Sequence, residues 1–240
     1  DQAATGFETL FGGGLGHIDL LNQLRAAQDD SKVQGLYIRM SEGGVGSSAA
    51  EELRTAITEF QDAGKWVVVH SQGSYAVSSP ASLRAISAAD EVWIQGGTDV
   101  MAMGLTFTGE FYGGLFDKID LHSDMDAFYE YKNAPNVYSE TEYTEHHRFA
   151  MQALADSIWN DSIADIAADR ENLGDNSLRN LLQSGPISAE AAVEAGLMDA
   201  LYWPEEAAEK VLERGGEGAA FVELGEYLPP AAGRDARVIA

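Results

Sequence analysis

Trp66-Val67-Val68-Val69-His70 runs five residues with no polar side chain before the last. A strand with one face in water alternates apolar and polar residues. One that does not alternate is covered on both faces, as in a parallel sheet with helices above and below. The flanks agree. Upstream, Leu53, Ile57 and Phe60 recur at helical spacing, Ser47 or Ser48 offers an N-cap with Glu51 or Glu52 behind it, and Gly64 ends the segment. Before that helix lies a second strand, Val33 to Met40, and before that a helix from Ile18 to Gln28 with Ile18, Leu21 and Leu24 on its apolar side. Downstream, a small polar loop from Ser71 to Pro80 leads to a short helix, Ala81 to Ala89, and a third strand, Asp90 to Gln95.

The remainder continues the alternation. Tyr112 to Asp117 reads as a short helix and Ile119 to Phe128 as a fourth extended run. Thr144 to Asp169 is the longest helix, with Met151, Leu154, Ile158, Ile163 and Ile166 on one side. Asn176 to Gln183, Ser188 to Ala195 and Pro204 to Arg214 follow as helices, and Arg237-Val238-Ile239-Ala240 resembles the start of a strand. Strands alternating with helices make an α/β chain with a mainly parallel sheet.

Composition narrows the functional classes. The chain has 240 residues, 45% of them apolar, enough to bury a sizeable core. A net charge of −24 argues against nucleic acid or an anionic membrane as partner. There is no cysteine, hence neither disulfides nor thiolate chemistry. No stretch approaches the roughly 20 apolar residues of a membrane span, and the chain as given is expected to be soluble.

Lys132, in Phe128-Tyr129-Glu130-Tyr131-Lys132-Asn133-Ala134-Pro135, follows the fourth extended run and precedes a proline that disfavours helix before it. To work as a base near neutral pH, a lysine must lose roughly 2–3 units from a reference pKa of about 10.4. Phe128, Tyr129 and Tyr131 are available to dry the amine, while Glu130, if close, would favour the ammonium. Ser79 and its neighbour Ser78 are candidate nucleophiles before a short helix, in a loop that also holds Ser74; a serine before Pro80 is also an ordinary helix cap. Phe11-Gly12-Gly13-Gly14-Leu15-Gly16 lacks the preceding strand and following lysine of a phosphate loop. His122, Asp124 and Asp126 alternate as metal ligands can, without a further ligand evident. His146-His147 reads as polarity at a helix start, and His17 and His70 have no identifiable partner.

Four segments in order resemble the signal peptide peptidase A (protease IV) family, which has the Clp-protease/crotonase fold. Met40-Ser41-Glu42-Gly43-Gly44 is similar to that family's D-S-P-G-G turn, and Ala85 to Trp93 to its A-S-A-A-D-E-I-W step. Tyr131-Lys132-Asn133-Ala134 is similar to its Y-K-S-A lysine motif, and Ile187 to Asp199 to its S-A-E-E-A…G-L-V-D ending. The long form of the family carries two such units, with the catalytic lysine in the first and the nucleophilic serine in the second. The resemblance is to the first: the position of the family's serine falls on Pro80.

The resemblance implies a spiral of mainly parallel sheet with flanking helices. Residues 1–203 would be the first peptidase-like unit, and 204–240 a helix and linker leading to an absent second unit. It implies a Ser/Lys endopeptidase of signal peptides or other membrane-associated peptides. Lys132 would be the general base, Ser79 the rival nucleophile within this chain, and Gly43 and Gly44 the oxyanion turn. No metal or organic cofactor is implied. The expected partners are the second unit, further copies in a ring and a peptide substrate, with the full-length protein anchored in the inner membrane and facing the periplasm. The fragment by itself is expected to be inactive. Two other readings use the same residues: a non-catalytic scaffold unit of the ring, and a crotonase-type acyl-CoA enzyme using Gly43 and Gly44.

Overall fold

The computed structural model describes residues 16–40, 43–72, 77–170 and 172–228. The glycine run before Gly16, Ser41, Glu42, Ser74 and the Arg237 to Ala240 segment lie outside the described residues, as does the His17 side chain. The chain divides into two compact units, one running up to Gly104 and resuming at Ser162, the other comprising Leu105–Asp161.

The first unit is built on four parallel strands in the order β1-β2-β3-β6. They are β1 (Gly35–Met40), β2 (Trp66–Ser71), β3 (Glu91–Ile94) and β6 (Ala200–Leu201). In the register, Tyr37 pairs with Val68, Val69 with Val92, and Trp93 with Ala200. Val67, Val68 and Val69 are all fully buried, as their unbroken apolar run requires. One side of the sheet, with Val68 and Trp93, meets Ala207 and Val211 of α9 (Pro204–Gly215), with Tyr37, Trp66 and Tyr202 at the margin. A second, antiparallel pair joins β4 (Asp99–Val100) to β5 (Ile187–Ser188).

Around the sheet stand α1 (His17–Asp29), α2 (Ser47–Asp62), α3 (Pro80–Ile86), α7 (Asp175–Gln183) and α8 (Ala189–Glu194). In α2, Ala50, Leu53, Ile57 and Phe60 are buried, so the periodicity finds the core face. In α1 the buried stripe is Leu20, Leu24 and Ala27, whereas Ile18 is exposed; the burying face is turned from the expected one onto the i, i+4, i+7 positions. The cap of α2 also differs. Gly46 is the N-cap and Ser47 the first helical residue, with no side-chain cap bond. At α8, Ser188 does cap, accepting from the Ala191 amide.

Two carboxylates set the starts of strands. The Asp90 carboxylate accepts from Val67 N–H at 2.6 Å, and Asp199 accepts from Val92 N–H at 2.6 Å while pairing with Arg170 at 2.8 Å. Buried backbone donors need partners, and these acids are theirs. The residues that carry much of the family likeness, A-A-D-E-V-W and G-L-M-D-A, thus serve the sheet rather than the chemistry.

The second unit contains α4 (Gly113–Lys118), α5 (Asn136–Ser139) and the first turns of α6 (Glu145–Asp169), whose last turns fall in the first unit. The expected strand from Ile119 to Phe128 is not one. Ile119 and Asp120 form a turn that ends α4, and residues 121–127 have no regular structure. With charges at Asp124 and Asp126 and apolar side chains exposed at Leu121 and Met125, this run has no face to bury against a sheet. Aromatic contacts hold the unit instead. Phe111 meets Tyr143 at 4.9 Å edge to face, Tyr143 meets His147 at 4.8 Å, and Phe116 stacks on Tyr138 at 6.4 Å.

Candidate active site

Lys132 stands on a tight turn. Its backbone N–H donates to Tyr129 O at 3.2 Å, and the chain then passes through Asn133 and Pro135 into α5. The turn needs an unusual backbone. Tyr129 has φ of 70° and, with Asp120, is one of two non-glycine residues at positive φ among those described. The lysine side chain is exposed and makes no ion pair among the described residues. It lines an open hollow of about 420 Å³ together with Ala127, Tyr129, Glu130, Asn136, Thr144 and His146.

The walls of this hollow are fixed by short-range bonds. Thr144 caps α6, its hydroxyl accepting from His147 N–H at 3.3 Å and from Asn136 Nδ2 at 3.3 Å. The His146 ring lies edge-on to Tyr131 at 5.2 Å, and Tyr131 reaches Phe149 at 6.5 Å. The expected drying of the amine by Phe128, Tyr129 and Tyr131 is not found: these rings are 73%, 83% and 54% exposed. An aromatic residue can exclude water from a neighbour only when it packs over it, and these point outward.

The glycine turn and the serines come together in the first unit. Gly43 has φ of 136°, a conformation that side chains resist. Ser78 Oγ donates to Gly43 O at 3.4 Å, and Val45 N–H donates to Ser82 Oγ at 3.1 Å. A Cβ on Gly44 would lie 3.2 Å from Ser78 Oγ, so the turn sits against the start of α3. The amides of Gly43 and Gly44 donate to no acceptor among the described residues. Ser79 is the N-cap of α3, accepting from Ser82 N–H at 3.1 Å, with its hydroxyl also 3.1 Å from Ser82 Oγ. Pro80 follows at the first helical position. Each of these hydroxyls bonds to backbone or to another serine, and among the described residues none bonds to a titratable base. A serine without a base is a weak nucleophile.

The other candidates are placed as follows. His122 is exposed, 4.0 Å from Asp120, and does not converge with Asp124 and Asp126. Among the described residues no three His, Asp or Glu side chains are grouped to hold a metal ion. His147 is half-buried between Phe111 and Tyr143. His70 is fully buried on β2. Its Nε2 faces Tyr202 O at 2.8 Å, so that nitrogen donates, and Nδ1 has no partner among the described residues. Burial pulls the His70 pKa below 6.5, opposed by the Tyr202 carbonyl. On the adjoining strand, burial pushes the Tyr37 phenol up to about 12, and its ring stacks on Phe221 at 5.6 Å. The sequence offered Tyr129 only as a ring to dry the amine, since no propensity indicates its positive φ, and it did not single out Asn136 and Thr144, which reach the hollow only once α5 and α6 are in place.

The family model described as peptidase family S49 matches residues 59–215. Among relatives, the chain is 24% identical over 231 residues to the chloroplastic serine protease SPPA of Arabidopsis thaliana, covering 95% of this chain and 32% of that protein. It is 25% identical over 170 residues to protease 4 of Haemophilus influenzae, covering 69% and 26%. It is 24% identical over 158 residues to protease 4 of Salmonella typhi, covering 64% and 24%. The chain therefore spans a third or less of the length of these relatives. Among the described residues no helix is long and apolar enough to cross a membrane.

Proposed function

The chain belongs to peptidase family S49, and from that premise we propose that it supplies the general-base lysine, Lys132, of a serine endopeptidase. The nucleophilic serine belongs to another unit of the whole protein, and the substrates are signal peptides or other membrane-associated peptides. The observation that carries this reading is the division of groups. Among the described residues, Lys132 is offered on an exposed turn with no ion pair, while Ser78, Ser79 and Ser82 have only backbone and hydroxyl partners. A base without a nucleophile and serines without a base fit a dyad completed from outside this chain.

In the reaction the neutral amine of Lys132 removes the proton from the serine hydroxyl as the oxygen attacks the peptide carbonyl carbon. The tetrahedral intermediate collapses, the C–N bond breaks, and the lysine returns the proton to the leaving amine. Water then attacks the acyl-enzyme, again giving its proton to Lys132. Exposed to water an amine remains an ammonium, so the arriving unit and substrate must close the hollow before the cycle starts. Assembly into a ring and anchoring at a membrane, with the peptidase part in the periplasm, belong to the same reading.

The test is Lys132→Ala and Lys132→Arg in the full-length protein, assayed on a fluorogenic peptide. Arginine keeps the charge but does not deprotonate, so both variants should lose on the order of 10²–10⁴-fold in kcat. Hydrolysis that survives both would support the second reading, a scaffold unit, which is favoured by the capping role of Ser79. The acyl-CoA reading draws only on the free amides of Gly43 and Gly44, and titration with a CoA thioester checks it.

A further inference from the structure

Tyr129 departs from what its surroundings favour. A bulky residue at φ of 70° costs about 1–2 kcal/mol that glycine would not incur. Burial does not offset the cost, since the residue is 83% exposed and its ring touches no other ring among the described residues. The turn itself is closed by backbone, Lys132 N–H to Tyr129 O, and needs no ring. The aromatic group is therefore held in place for something other than the fold.

It is held beside an unpaired carboxylate. Glu130 is exposed, has no ion pair among the described residues, and lines the same hollow as Tyr129 and Lys132. Of the other lining residues, Thr144 and Asn136 spend polar groups on each other, and His146 lies edge-on to Tyr131. Residues 105–161 carry 11 Asp and Glu against 3 Lys and Arg, an excess of eight acidic residues that favours the approach of a cation over an anion. A flat aromatic face next to a free carboxylate suits the ammonium of lysine or the guanidinium of arginine, which gain from both. Lys132 lines the same hollow, so Glu130 and the Tyr129 face, not the summed charge of the lining, are what would draw a substrate cation.

We propose that Tyr129 and Glu130 form a subsite beside Lys132 that takes a basic side chain of the peptide substrate. Tyr129 and Glu130 are specificity-determining residues, and the favoured substrate carries Lys or Arg at the position that settles in the hollow. The inference rests on the peptidase reading in putting a peptide there, but its test reads binding rather than turnover.

Two fluorescein-labelled peptides, identical except for Lys or norleucine at one central position, are titrated against the chain at about 50 mM NaCl, where screening is modest. The lysine peptide should bind roughly 5–10-fold more tightly. Glu130→Gln should bring the ratio near one, and Tyr129→Gly should reduce it several-fold. Glu209→Gln, on α9, removes the same charge elsewhere and should leave the ratio unchanged. Equal affinities for the two peptides, tighter binding of norleucine, or a preference that survives both Glu130→Gln and Tyr129→Gly overturns the proposal. The first two outcomes need no variant, so a misfolded mutant does not protect the idea. If the preference holds while Lys132→Ala leaves hydrolysis intact, the base assignment fails and the subsite stands.

Discussion

Gly35 stands where one methyl group has no room: a Cβ there would lie 2.1–2.4 Å from the Trp66 ring across the β1–β2 register. Gly35→Ala should cost about 1–3 kcal/mol in urea denaturation, through displacement of the indole. Gly64 fails differently. Space is open around it, but its φ of 80° at the end of α2 makes Gly64→Ala cost about 1 kcal/mol by backbone strain alone. Lys132 is the opposite case, exposed and without an ion pair among the described residues. Lys132→Ala should leave the urea midpoint within about 0.5 kcal/mol of the parent even where it removes activity. A large loss of stability would mean that the lysine is architectural.

At the scale of elements, the last turns of α6 are fastened by charge. Arg54 on α2 grips Asp169 through two bonds of 2.6 and 2.8 Å, Arg84 on α3 reaches Asp165 at 2.6 Å, and Ser87 also donates to Asp169. Asp169 is mostly buried, and its attraction raises the Arg54 pKa, with the side-chain hydrogen bond foremost. Asp169→Ala would leave the Arg54 guanidinium only its looser contact to Asp165 at 3.6 Å and should cost about 1–3 kcal/mol, read from thermal or urea unfolding. Strand β2 carries a titration of its own. The folded chain holds His70 neutral, with its pKa below 6.5, while the unfolded chain takes up the proton near 6.5. The unfolded state thus binds more protons as pH falls, so stability is full above 6.5 and declines below it. Comparing pH 7.5 with pH 5, His70→Gln should lose less stability than the parent, because its amide can still donate to the Tyr202 carbonyl and does not titrate.

At the scale of the whole molecule, a net charge of −24 on 240 residues pushes the folded chain apart. Self-repulsion between exposed charges falls as the Debye length shrinks, from about 10 Å at 0.1 M salt to about 3 Å at 1 M. The melting temperature should therefore rise with NaCl over that range, and a flat or falling curve would show that the acids are already balanced locally. The same charge repels polyanions and attracts cationic peptides, in line with the subsite proposed for Tyr129 and Glu130.

Periodicity and apolar runs were enough to read the α/β class, three of the parallel strands and most helices, because burial on two faces leaves a mark on every residue of Val67, Val68 and Val69. The family likeness was legible too, in segments such as Asp90 and Asp199 whose carboxylates start strands. The stretch from Ile119 to Phe128 misled, since β-rich composition describes a strand only when a neighbouring edge accepts its hydrogen bonds. What surrounds Lys132 could not be read along the chain: Tyr129, Asn136, Thr144 and His146 are brought to one hollow by a turn with positive φ and two helix starts. The sequence alone determined that the Val67 to Val69 run and the Leu53, Ile57 and Phe60 face are buried, and where a lysine of the right motif falls. Only the tertiary structure decided that this lysine stands open beside an unpaired acid and a strained tyrosine, because exposure and proximity depend on contacts between segments and not on local preference.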